Sequence, residues 1–163
     1  MDLATVLKVV HTIFGVWLIA AVVGRWVTLN RAAASDDLGA VHTLLGLSDR
    51  FERWVRLIPN GVLILGIATA IAQSRPFLGP FQGAAIDWLF VSLVLYLSIV
   101  PWIPLVFLPR GRLFAAALAE ADHQGAVTGR LTAAFHDRVV FAGHVYELVI
   151  LVVVLTLMIA KPF

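Results

Sequence analysis

The sequence predicts an all-α integral membrane protein, a four-helix transmembrane bundle with short cytoplasmic helical connections. Three observations lead there. Hydrophobic residues make up 61% of the chain and charged ones 13%, against roughly half and a quarter in soluble domains. Apolar runs recur four times, at about 5–29, 55–73, 86–108 and 139–160, each near the ~20 residues that a crossing helix needs. Basic residues gather in alternate connections: Arg25, Arg31, Arg50, Arg53 and Arg56 in or beside the first, Arg110, Arg112, Arg130 and Arg138 in or beside the third. Only Lys8, Arg75 and Lys161 fall on the other side. This asymmetry places the two longer loops in the cytoplasm and both termini outside, as expected in a bacterial inner membrane.

Residues 1–163 read as a single domain without internal repeat. The first run is too long for a signal-peptide core and lacks a basic leader, so it is expected to stay as a helix. After it, Ser35 is placed to cap a short amphipathic helix over about 36–46, closed by Gly46. Asp49 and Glu52 form a D-x-x-E capping pair, which starts the second helix ahead of the membrane. Pro59-Asn60-Gly61 weakens its first membrane turn. In the third span Pro101 and Pro104 deprive the carbonyls near Leu97 and Val100 of their helical partners. A kink is expected there, with that face buried so that the carbonyls find protein or water. Residues 110–125 read as a helical extension, and Gly125 and Gly129 break the chain before the last span.

Ionisable groups inside spans are costly and turn toward a bundle interior. In the first span Lys8, His11, Gly15, Leu18, Val22 and Arg25 fall on one stripe. In the last, Asp137, Val140, His144, Glu147, Leu151, Val154, Met158 and Lys161 do the same. The stripes are expected to face each other or a shared interior. At ~1.5 Å per residue, His11 and His144 lie some 12 Å apart in depth, too far to share one metal.

Two clusters result. Arg25, Arg56, Asn60, His144 and Glu147 share the cytoplasmic half. There Arg25 or Arg56 can neutralise Glu147, with His144, Asn60 and Tyr146 completing hydrogen bonds; a proton relay or an anion site is the functional alternative. Lys8, His11, Met158 and Lys161 share the outer half without an intramembrane acid. That set suits haem b, with His11 on iron, Met158 or another group opposite, and lysines on the propionates. The competing reading gives His11 a backbone carbonyl and lets the lysines snorkel to the headgroups. Trp17, Trp26, Trp54, Trp88 and Trp102 sit mostly near span ends, as in an aromatic belt.

The chain has no cysteine, which excludes disulfides, thiol catalysis and thiolate metal sites. A net charge of +2 gives no reason to expect nucleic acid. The expected partner is the lipid bilayer, with a second copy or another membrane protein left open.

The stretches LKVVHTIFGVW, RFERWVRLIPNGVLILGIATA, DWLFVSLVLYL and LVVVLTLMIAKPF resemble the bacterial integral-membrane domain-of-unknown-function family 2269 over nearly the whole length. Lys8-x-x-His11, the arginine-rich entry to the second span with Pro59, and Lys161-Pro162 are more distantly similar to the four-span J-type membrane protoporphyrinogen oxidase. The second resemblance implies haem b on His11. It also implies a histidine and a lysine early in the third span, where this sequence has Phe90 and Ser92. Three functions remain in view: a haem or redox protein using His11, a non-catalytic membrane subunit or scaffold, and a small transporter or proton pathway through Arg25, His144 and Glu147.

The basic-residue asymmetry carries a topological prediction. Alkaline phosphatase fused after residue 163 should be active and the same reporter inserted within 112–130 inactive. The opposite pattern would invert the assignment.

Overall fold

A computed structural model describes residues 2–162, which are helical and contain no strand. The order is α1 (Leu3–Ala33), α2 (Leu38–Ala72), a 3₁₀ turn (Gly79–Gln82), α3 (Trp88–Leu97), a π turn (Ile103–Phe107), α4 (Leu108–Gln124), α5 (Gly129–Phe135) and α6 (Arg138–Ala160). Three segments are long and apolar enough to cross a membrane: α1, α2 and the Gly129–Ala160 stretch that contains α5 and α6. The 86–108 run departs from the expected single helix, because α3 stops at Leu97.

The cause is local. Pro101 and Pro104 cannot donate to the carbonyls four residues back, and the chain tightens instead. The amide of Val100 reaches Leu97 O at 3.1 Å, and that of Ile103 reaches Val100 O at 3.2 Å. These are i→i+3 bonds, so both carbonyls are satisfied within the turn. The expected burial of this face is not needed, and Leu97 and Val100 are in fact exposed.

The separate 36–46 helix does not exist. One helix runs from Leu38 to Ala72 with Gly46 inside it, and its cap is Asp37 rather than Ser35. The Asp37 carboxylate accepts from the amides of Gly39 and Ala40, each at 3.1 Å. Asp49 and Glu52 are therefore interior helical residues instead of a cap, and Pro59 interrupts nothing. Gly125 closes α4 in the left-handed conformation as expected, whereas Gly129 opens α5 behind the Thr128 cap.

The elements form two hairpins. α1 packs chiefly on α2, and α3 chiefly on α6. Glycines set the first hairpin's spacing. A β-carbon at Gly24 would stand 2.5 Å from the Phe51 ring, one at Gly61 2.7 Å from Phe14, and one at Gly66 3.0 Å from His11. Helices without a solvent-driven force between them rely on such close approach. The hairpins meet in two cores. Leu18, Val22, Ile58 and Leu151 form one, with Tyr96 and Ile99 packed against it. Val41, Ala117, Ala121 and Leu131 form the other, where the start of α2 lies on α4 and α5.

Candidate functional site

Arg25 reaches out of α1 toward both hairpins. It is 6% exposed, and its guanidinium bonds three side chains. Nη1 donates to Oε2 of Glu52 on α2 at 2.9 Å. Nη2 donates to Oε2 of Glu147 on α6, which is 7% exposed, and to Nδ1 of His144 at 3.1 Å. A guanidinium has donors only, so the His144 imidazole accepts there and carries its proton on Nε2. The His144 ring stacks on Phe107 at 5.0 Å. Arg25 Nε is sealed and is the one such side-chain atom without a partner among the described residues.

Of the two arginines expected as partners for Glu147, the structure uses Arg25. Arg56 instead lies one turn from Glu52 on α2, at 3.7 Å, with its side chain 67% exposed. Asn60 and Tyr146 do not complete the cluster. Asn60 Nδ2 donates to the Arg56 carbonyl at 3.3 Å, and the Tyr146 hydroxyl pairs with that of Ser98 at 2.7 Å. The phenol that does bridge the hairpins is Tyr96, which donates to the carbonyl of Pro59 at 2.9 Å.

Between α2 and the α3–α4 arm lies a cleft of about 900 Å³. Leu18, Leu63, Leu97 and Leu151 line it, as do Arg25, Glu52, Arg56, Asn60, His144 and Glu147. Arg110, paired with Asp137 across the α4 and α6 starts, also faces it. A smaller pocket of about 190 Å³ opens between Val22, Val145 and Val149, and shares Arg25, Trp26 and His144 with the cleft. Glu52, Asp49, Tyr96 and Arg110 were missed as site residues on sequence. A signal existed for two of them: Asp49, Glu52, Arg56, Asn60 and Leu63 are spaced 3, 4, 4 and 3, one stripe of a continuous helix.

In the outer half, His11, Lys8 and Lys161 make separate contacts. His11 Nδ1 lies 3.0 Å from the carbonyl of Val62, so the ring is held by α2. Lys8 is exposed. Lys161 lies over the buried ring of Trp88 at 5.5 Å, with Arg75 at 5.9 Å. Among the described residues no hydrogen bond joins Lys8, His11 and Lys161, and no group of three or more His, Asp or Glu could hold a metal ion. Neither of the two cavities reaches His11. Phe90 packs on Gly79, where a β-carbon would be 2.9 Å from its ring. Ser92 is 1% exposed and donates to the carbonyl of Trp88. Neither position offers an accessible functional group.

A family model described as predicted integral membrane protein (DUF2269) matches residues 5–162. No curated protein and no solved structure matches the chain.

The charge cluster predicts a specific pattern of coupling. Glu147→Gln should lower stability by about 1–3 kcal/mol, the range for a buried hydrogen bond to a charged group. Arg25→Met alone should cost about 3–5 kcal/mol, since it leaves a buried carboxylate without its partner. Thermal unfolding in detergent should find the Arg25→Met/Glu147→Gln pair non-additive and the Arg56→Gln/Glu147→Gln pair additive. Additivity in both would remove Arg25 as the partner.

Proposed function

The chain thus belongs to this family of predicted integral membrane proteins, and we propose that it crosses the bilayer four times and binds a small molecule in the cleft between its hairpins. The third crossing is the interrupted segment. From Trp88 to Phe107 the chain turns helically for twenty residues, about 30 Å at the α-helical rise and enough for the hydrocarbon core. The observation that carries the binding reading is the cleft itself. Its volume of about 900 Å³ lies in the range of ligand sites, which combine apolar walls with a few fixed polar groups. The Arg25 cluster acts as the fixed floor. Its members bond one another, which supports a structural role in shaping the site over a proton relay through Glu147.

A haem protein using His11 is the second reading, and one observation favours it. A ring nitrogen bonded to a backbone carbonyl orients a histidine as metal-ligating imidazoles are commonly oriented, and Val62 O does this for Nδ1. Nε2 is then the atom that would meet iron, whose redox chemistry haem supplies when bound. The remaining residues fit less well. Neither of the two cavities described above is lined by His11, and Lys161 is engaged on Trp88.

Native mass spectrometry of protein purified from its own membranes tests the first reading. A stoichiometric adduct should accompany the wild type and be weakened or lost in Leu63→Trp, which intrudes on the cleft; a bare chain in both would overturn it. An absorption spectrum tests the second. A Soret band present in the wild type and lost in His11→Ala, but kept in His144→Ala, is the expected result, and a colourless wild type expressed with excess haem would reject it.

A further inference from the structure

The two walls of the cleft run antiparallel, in a register fixed at two points. Tyr96 bonds Pro59. Eighteen residues on from the one and back from the other, Phe114 packs on the core that contains Val41. Between these points Phe107 stands level with Ser48, Ile103 with Glu52, and Val100 near Arg56. The His144 ring, stacked on Phe107, shares the level of Ser48, and Glu147 lies one turn closer to the bilayer centre. All of these residues line the cleft.

Two buried polar groups at this depth have atoms without a protein partner. Ser48 is 5% exposed, and its hydroxyl makes no hydrogen bond among the described residues. Glu147 spends Oε2 on Arg25, while Oε1 makes no hydrogen bond among them. Neither atom is sealed, because Arg25 Nε alone is both sealed and unpartnered. Both therefore open onto the cleft that their side chains line. Buried polar groups are nearly always paired, so these two mark where the polar head of a ligand belongs.

The surrounding charges say what kind of head. Every arginine lining the cleft already has a carboxylate: Arg25 has Glu147 and Glu52, Arg56 has Glu52, Arg110 has Asp137, and Arg130 has Glu120. An anionic head would find no cation to spare and would stand beside carboxylates. An ammonium at Glu147 would stand beside the Arg25 guanidinium. Asp49 lacks an ion pair among the described residues, but it is exposed, where a pair gains little. A buried charge without its own partner is costly, so the complementary head is neutral. A carboxylate oxygen only accepts, and a serine hydroxyl accepts or donates. That neutral head therefore carries an O–H.

We propose that the cleft holds one uncharged lipid alcohol, with its hydroxyl head at the level of Ser48 and Glu147 and its hydrocarbon chain along Ile103, Val100 and Leu97. These three wall residues are apolar and exposed, so the chain passes along them into the bilayer. The depth of the site suits that orientation. Ser48 precedes the apolar run that begins near residue 55, and the wall leads from there toward the bilayer centre. This assignment rests on the cleft-binding reading above and names its class of ligand.

The test uses the full chain in detergent, stripped of lipid and offered equal amounts of four probes that share one hydrocarbon chain: oleyl alcohol, oleyl methyl ether, oleyl phosphate and oleylamine. Native mass spectrometry reads retention. Oleyl alcohol should be retained about tenfold over the ether, the factor expected from a hydrogen bond to a charged acceptor, and should also exceed both charged probes. Ser48→Ala should cut its retention about fivefold, the worth of one neutral hydrogen bond. The same variant should keep the wild-type unfolding temperature, because the hydroxyl it removes has no protein partner. Equal retention of alcohol and ether, or tighter retention of either charged probe, overturns the head assignment. So does an alcohol preference unchanged by Ser48→Ala, or a lower unfolding temperature in that variant. Val100→Trp, on the apolar wall, separates this assignment from the reading it rests on. If it lowers retention of all four probes while the alcohol has no advantage, the cleft remains a binding site and only the head falls. If it changes nothing, or if no probe is retained, the cleft reading falls as well.

Discussion

The bonds from Arg25 to Glu147 and Glu52 hold the molecule's plan together. Each hairpin is stabilised internally, by close glycine contacts in α1–α2 and by apolar packing in α3–α6. What fixes one hairpin against the other is narrower: two apolar cores, the Tyr96–Pro59 bond, and the guanidinium that takes one carboxylate from each side. A charge in such surroundings persists only when paired and hydrogen-bonded. The pairing accordingly fixes the position of α6 relative to α1 and α2. The cleft exists because the hairpins join along α1 and α6 and stand apart along α2 and α3.

The same constraint explains why the charged cluster was partly legible in the sequence. Arg25, His144 and Glu147 are ionisable groups in apolar runs, so their meeting could be expected from cost alone, and the two stripes do converge there. Their partners on α2 were hidden by a misplaced boundary. Reading Asp49 and Glu52 as a cap assumed that α2 began near them, because D-x-x-E before an apolar run is a helix-start pattern. The helix had already begun at Leu38, where Asp37 satisfies the orphan amides. Once α2 is continuous, both acids fall on a helical face with Arg56 and Asn60. The choice between Arg25 and Arg56 as the partner of Glu147 stayed open for a related reason: depth was legible, but rotation about the axis was not.

Membrane character, the first and last long helices and the Gly125 stop follow from hydropathy and terminal chemistry. The third segment does not, because two prolines four residues or fewer from their neighbours' carbonyls can be accommodated in more than one way. A kink whose freed carbonyls are buried against protein or water and a tightened turn with satisfied ones obey the same rule against unpaired polar groups. Only backbone geometry distinguishes them. For the outer residues, a stripe fixes which of them share one helix face and says nothing about which neighbour the face meets. His11 turns to α2, and Lys161 turns to α3.

The length of α2 has a mechanical consequence. Its thirty-five residues make a rod of about 52 Å, longer than the ~30 Å hydrocarbon core, and one end is clamped into the layer of α4 and α5 at Val41. Further along the same helix, Val62 and Gly66 lie against the His11 ring. So long a rod cannot stand wholly within the hydrocarbon core, and one unbroken helix joins the α4–α5 layer to the residues around His11.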